Sequence, residues 1–126
     1  MKIGIFYSSA TGITQSYAKH ISEELLKQDD EVDMTNLIVP ENRSYNIDYA
    51  QYNGCIFGFP VYNGRLPIVM EEWLCDLNGE GVPCSMFFTY GGRDLEYANQ
   101  VTYHLLNKNN FKVVLSAEFV GEHSFN

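Results

Sequence analysis

An α/β fold built on a parallel sheet, with helices on both faces, is what this sequence predicts. Three observations carry the prediction. Short apolar runs recur without polar alternation, as in Lys2 to Tyr7, Cys55 to Phe59 and Cys84 to Phe88, which marks strands covered on both sides. Between them lie stretches whose apolar residues fall three or four apart, the spacing of one helix face. Strand and helix then alternate along the chain, the pattern of parallel strands joined by crossover helices.

Taken in order, Lys2 to Tyr7 is the first strand. Gly12 to Lys27 is a helix whose apolar positions Ile13, Tyr17, Ile21 and Leu25 repeat every four, and Gln28-Asp29-Asp30 breaks it. Glu31 to Leu37 alternates weakly and suits an outer strand. Pro40 to Gln51 is polar and irregular, so a second helix is short or absent there. Asn53 to Tyr62 is a buried strand stopped at Pro60. Pro67 to Leu77 reads as a helix with Pro67 in its first turn and Val69, Met70, Trp73, Leu74 and Leu77 on one face. Val82 to Tyr90 is another buried strand. Asp94 suits the N-cap of a helix with Leu95, Ala98, Val101 and Leu105 inward, ended by Asn109-Asn110. Phe111 to Val120 is the last strand, with Val113-Val114-Leu115 expected at its core. Glu122-His123-Ser124 follows, and Ser124 suits the cap of a further helix that the sequence does not contain.

Composition narrows the function. The chain has 126 residues, the size of one domain, and 1–126 is read as one, stopping where a last helix is expected to begin. No apolar run approaches the roughly 20 residues of a membrane span, and the opening run is too short for a secretory leader. Cys55, Cys75 and Cys84 are odd in number and form no CxxC, so neither a disulfide framework nor a metal cluster is expected, and a cytoplasmic setting fits. Eight basic against sixteen acidic residues give a net charge of -8. That balance argues against nucleic acid and anionic membrane, and favours a basic protein partner or a small molecule.

In open parallel sheets ligands bind beyond the carboxyl ends of the strands. Ser8-Ser9-Ala10-Thr11-Gly12-Ile13-Thr14 sits there, after the first strand and at the start of a helix. Four hydroxyls and a glycine in seven positions, at the positive end of a helix, make an anion site. It lacks the lysine of a nucleoside-triphosphate loop and the GxGxxG of a pyrophosphate loop. One phosphate monoester held by neutral donors fits it; a plain Ser/Thr-rich helix cap is the other reading. No acidic residue stands after the first strand, and Pro60-Val61-Tyr62 follows the third, so a phosphoryl-accepting receiver domain is excluded.

Ser9-Ala10-Thr11-Gly12-Ile13-Thr14 resembles the phosphate loop of flavodoxins, which bind flavin mononucleotide (FMN). The resemblance implies a flavodoxin-like three-layer sandwich with a five-stranded parallel sheet of order 2-1-3-4-5, here with its C-terminal helix missing. It also implies that Ser9, Ala10, Thr11, Gly12, Ile13 and Thr14 bind the phosphate. Pro60, Val61, Tyr62, Asn63 and Gly64, with Thr89, Tyr90, Gly91 and Gly92, would lie along the ring. Tyr62 can stack on a flavin or be an ordinary loop tyrosine, and Asn63-Gly64 is either the peptide that answers the flavin's redox state or a common turn. Arg65 can neutralise a reduced flavin, dock a partner or simply be solvated.

The runs Tyr62-Asn63-Gly64-Arg65-Leu66-Pro67 and Thr89-Tyr90-Gly91-Gly92-Arg93-Asp94, with Gly121-Glu122-His123-Ser124, are similar to the N-terminal flavodoxin domain of flavodoxin/ferredoxin fusion proteins of anaerobic bacteria and archaea. The cysteine clusters of a ferredoxin module are absent, so the resemblance implies a redox partner of ferredoxin type that is a separate chain or lies on a part outside these 126 residues. No nucleophile–base pair is evident and no catalytic or metal-binding residue is assigned. His20 and His104 read as surface or half-buried positions, and Cys55 and Cys84 as inert buried thiols. The expected function is an FMN-binding electron carrier shuttling between redox partners. The alternatives are an FMN-dependent NAD(P)H oxidoreductase acting on a small substrate, or an apo assembly domain. A sheet face without its last helix should expose an apolar strip over the middle and fifth strands, closed by a homodimer or by further chain.

Overall fold

The computed structural model describes residues 1–9, 12–90 and 96–120. Five parallel strands form one sheet: β1 (Lys2–Tyr7), β2 (Glu31–Asn36), β3 (Gly54–Val61), β4 (Pro83–Tyr90) and β5 (Lys112–Val120), in the order β2-β1-β3-β4-β5. Helix α1 (Ile13–Leu26) covers one face, and α2 (Ile68–Leu74) and α3 (Glu96–Lys108) cover the other. The three-layer α/β sandwich and its strand order are those expected.

Between β2 and β3 there is no α-helix, only two single 3₁₀ turns, Pro40–Asn42 and Tyr49–Gln51. The segment still covers the sheet. Leu37, Tyr49 and Tyr52 are buried against Phe6 and Phe57, with Tyr49 edge-on to Phe6 and Phe111 at centroid distances of 5.4 and 4.9 Å. Polar ties hold the irregular backbone. Arg43 Nη1 donates to the Leu37 carbonyl at 2.6 Å, Trp73 Nε1 to the Ser44 carbonyl at 3.4 Å, and the Tyr52 hydroxyl to Asp33 Oδ2 at 2.9 Å. Aromatic bulk thus replaces a helix at this position.

On the α1 face the cover is thinner. Ala18, with Tyr17, Ile21 and Leu25, packs on Ile3, Ile5, Tyr7 and Phe87. Tyr17 stacks on Phe119 of β5 at 4.5 Å and 8° and donates its hydroxyl to the Val120 carbonyl at 3.0 Å. The Phe87 ring reaches over Gly58 of β3, where any Cβ would run into it. These rings bury the middle of the sheet, so the exposed strip expected over the middle strands is confined to β5. There Val114 is 59% and Leu115 62% exposed.

That exposure corrects the expectation that Val113-Val114-Leu115 is a strand core. β5 is an outer strand with an irregularity opposite Cys84 and Ser85, which pair with Val113 and Leu115 and leave Val114 without a register partner. Only Val113 of the three packs against the α2/α3 side of the core. Two further boundaries differ. β3 does not stop at Pro60 but runs through it to Val61, with Pro60 in register with Thr89. Proline lacks only the N–H, and its carbonyl and extended φ remain usable at a strand end. Pro67 is the N-cap of α2, one position before the first turn, and Val69 is exposed while Met70, Trp73 and Leu74 are buried. In α3 the fully buried positions are Ala98, Thr102 and Leu106, so the inward stripe is turned by one residue from the one expected. Asp94 and Leu95 lie outside the described residues, as do Glu122, His123 and Ser124.

Candidate functional site

The carboxyl ends of β1, β3 and β4 lie side by side. Tyr7 is in register with Gly58, Pro60 with Thr89, and Val61 with Tyr90, and the Ser8 N–H donates to the Gly58 carbonyl at 3.0 Å. The described residues that directly follow these strands are therefore delivered to one edge.

After β1 the chain turns into α1. Ser9 Oγ accepts the Gly12 N–H at 3.0 Å, which closes the loop on itself and leaves the Ser9 hydroxyl proton free to donate. Gly12 is the N-cap of α1 at φ 93°, a left-handed conformation, and no side chain caps this end. The first-turn amides of a 14-residue helix thus start beside the loop with the positive end of its dipole. The ideal Cβ position at Gly12 meets nothing within 4 Å, so the cradle is open on that side. Thr14 contributes differently from a free donor. The residue is 1% exposed and its hydroxyl lies 2.8 Å from that of Thr89, itself 4% exposed. Ile13 is half-buried. Ala10 and Thr11 lie outside the described residues.

After β3, Tyr62 and Arg65 exchange both main-chain hydrogen bonds, at 2.9 and 3.0 Å, around a two-residue turn. Asn63 at φ 52° and Gly64 at φ 79° give it the geometry of a type I′ hairpin turn. Tyr62 is 52% exposed, as a stacking surface must be before a ligand arrives. Val61, by contrast, is buried in the core and offers the site only backbone. Pro60 is half-buried. After β4, Tyr90 is partly buried and packs against the α2/α3 core, while Gly91 and Gly92 lie outside the described residues. The structure therefore brings Ser9, Gly12, Ile13, Thr14, Pro60, Val61, Tyr62, Asn63, Gly64, Thr89 and Tyr90 to one edge of the sheet, with Val61 turned inward.

A model of the family described as Flavodoxin domain matches residues 4–114. This chain belongs to the flavodoxin domain family. It is 32% identical over 116 residues to a flavodoxin of Clostridium saccharobutylicum, covering 86% of this chain and 69% of that one. The fold recurs in flavodoxin structures. A flavodoxin from the Archaea superposes with a TM-score of 0.71 at 16% identity, over 98% of this chain and 88% of that one. Flavodoxin 2 of Bacillus cereus gives 0.72 at 24%, over 97% and 87%. A Fusobacterium nucleatum flavodoxin bound to FMN gives 0.66 at 21%, over 90% and 68%.

Elsewhere the flavodoxin-domain chain holds few reactive groups. Burial pushes the thiols of Cys55 and Cys84 up to about 12, the neighbouring Cys84 adding to the shift at Cys55. Cys75, His20 and His104 are exposed. No group of three or more His, Cys, Asp or Glu is placed to hold a metal among the described residues, and no helix there is long and apolar enough to cross a membrane. Sequence reasoning missed two features of the site. Thr14 and Thr89 are 75 positions apart, and nothing local announces their pairing. Arg65 reaches both Glu71 and Tyr97, across spacings that belong to no helix or strand period.

Proposed function

We propose that residues 1–126 act as one domain that binds FMN non-covalently and carries electrons between redox partners in the cytoplasm. The observation that carries the proposal is the uncapped start of α1 at Gly12, set at the strand ends beside the Asn63-Gly64 turn and the end of β4. The residues fit the cofactor. The first-turn amides of α1 and the Ser9 hydroxyl are neutral donors suited to a phosphate monoester, with Ala10 and Thr11 completing the loop. Tyr62 and Tyr90, on the two strand ends that flank this edge, are the aromatic partners for the ring, and Asn63, Gly64, Thr89, Gly91 and Gly92 supply polar backbone along it. FMN supplies the capacity to hold one or two electrons; the chain binds it, shields it and sets its surroundings.

The surface beside the turn suits transfer to another protein. Tyr62, Ile68 and Val69 are exposed, and Glu71, Glu72 and Asp76 follow on and after α2. An apolar spot with an acidic margin, in a chain of net charge -8, favours a basic face on the partner, which the resemblance to fusion proteins makes a ferredoxin-type protein.

The test is a visible spectrum of the purified chain with added FMN. Binding should give the bands of a protein-bound oxidised flavin and quench its fluorescence. A chain that stays colourless and leaves FMN fluorescence unchanged refutes the carrier and leaves the apo assembly reading. Steady NAD(P)H oxidation by the holoprotein alone would instead favour the reductase.

A further inference from the structure

We propose that Arg65 is a positioning residue, a brace that ties the Asn63-Gly64 turn to the first turns of α2 and α3, so that the turn after β3 and the start of α3 are held as one unit beside the flavin ring. The proposal rests on the FMN reading for its ligand, but its geometry stands by itself.

Arg65 closes the turn: its N–H and C=O both bond to Tyr62, which fixes where its side chain leaves the backbone. The guanidinium then makes two contacts of different kinds. Nη2 lies 3.2 and 3.5 Å from the two carboxylate oxygens of Glu71, a side chain in the first turn of α2 that is only 19% exposed. Cζ lies 5.2 Å from the ring centroid of Tyr97, in the first turn of α3. A planar guanidinium can bond a carboxylate along one edge and lie over an aromatic ring with its face; an ammonium is a strongly hydrated point charge on a flexible stem, without that fixed plane. The side chain thus spans from the turn after β3 to the starts of both α2 and α3.

The charge of Arg65 is matched by Glu71, which removes it as a free cation for a reduced flavin. Its effect on global stability is small, because an exposed ion pair contributes little. Its effect on binding is of another kind. A ligand that needs the turn and the start of α3 both in place binds more weakly by whatever fraction of the protein has them in place.

The experiment uses the full chain and the variants Arg65→Met, Arg65→Lys, Tyr97→Leu and the Met/Leu double. Amide hydrogen exchange of Tyr62, Arg65 and the first turn of α3 is read on the apoprotein, and affinities for FMN and for riboflavin by fluorescence. Arg65→Met should speed exchange at the turn and at α3 together and weaken FMN and riboflavin by the same factor, about 3- to 10-fold. Arg65→Lys should restore neither, and Tyr97→Leu should add nothing once Arg65 is gone. Unchanged exchange overturns the brace. Full rescue by lysine, or a loss for FMN but not for riboflavin, also overturns it, since either means a simple charge effect. If the wild type binds neither flavin, the FMN reading and the ring-holding role fail, and exchange alone decides the brace.

Discussion

The hydroxyls of Thr14 and Thr89 meet at 2.8 Å across 75 positions of sequence, joining the first turn of α1 to the end of β4. One bond between two hydroxyls uses one proton and leaves the other to donate. Each residue sits where its side chain sees almost no water, so loss of either partner strands the other. Thr14→Val or Thr89→Val should each cost about 1–3 kcal/mol, and the double variant clearly less than the sum. Urea denaturation of the three variants measures it; additive losses would mean that the two hydroxyls do not depend on each other.

Gly58 and Phe87 make a tighter prediction. The Phe87 ring occupies the space a Cβ at position 58 needs. Gly58→Ala should destabilise the fold by about 1–3 kcal/mol, and Phe87→Leu in the same chain should recover part of that loss by making room. Thermal melts of the pair check this, and an alanine that costs nothing would contradict the packing.

The buried thiols set an alkaline limit. Burial holds Cys55 and Cys84 near 12, against 9.0 for an ordinary thiol. Below pH 9 folded and unfolded chains both keep these protons, so the thiols give no pH dependence. Above it the unfolded chain loses them first, and stability falls as pH rises until about pH 12. The slope is at most about 1.4 kcal/mol per pH unit for each thiol. Unfolding midpoints between pH 8 and 10.5 should fall less steeply in Cys55→Ala/Cys84→Ala than in the wild type. Burial raises the Tyr49 and Tyr52 phenols as well, which steepens both curves alike. At neutral pH a thiol reagent should label Cys75 quickly and the other two only on unfolding.

Gly12→Asp tests the phosphate site. Space for the side chain exists, so the fold survives apart from the strain of a left-handed residue. A carboxylate beside a phosphate at about 4 Å costs about 4 kcal/mol at a surface dielectric. FMN affinity should therefore drop by at least about 100-fold while riboflavin, which carries no phosphate, loses little. Unchanged FMN affinity would refute the assignment of this loop.

How much could be read from the residues depended on how local the cause was. Lys2 to Tyr7 was legible to the residue, because a run buried on both faces has no polar positions to blur it. The start of α1 was legible because its cause is local too: Gly12 stands at the N-cap, directly before Ile13. Val114 and Leu115 looked like core because a string of aliphatics gives no sign of an outer strand or of a slipped register. Thr14 looked like a free donor because its partner stands on another strand. Arg65 looked uncommitted because Glu71 and Tyr97 meet it only after three elements have docked.

The order β2-β1-β3-β4-β5 also governs how the chain can assemble during synthesis. β1 is made first and becomes an inner strand; β2 is laid on one side of it and β3 on the other, so three neighbouring strands are complete once residue 61 has been made. β4 then adds to β3, and β5 to β4, each new strand finding its mate to be the one before it. No strand has to be inserted between two already paired. An N-terminal segment can thus grow its sheet outward at the pace of translation, with one open edge waiting for the next arrival.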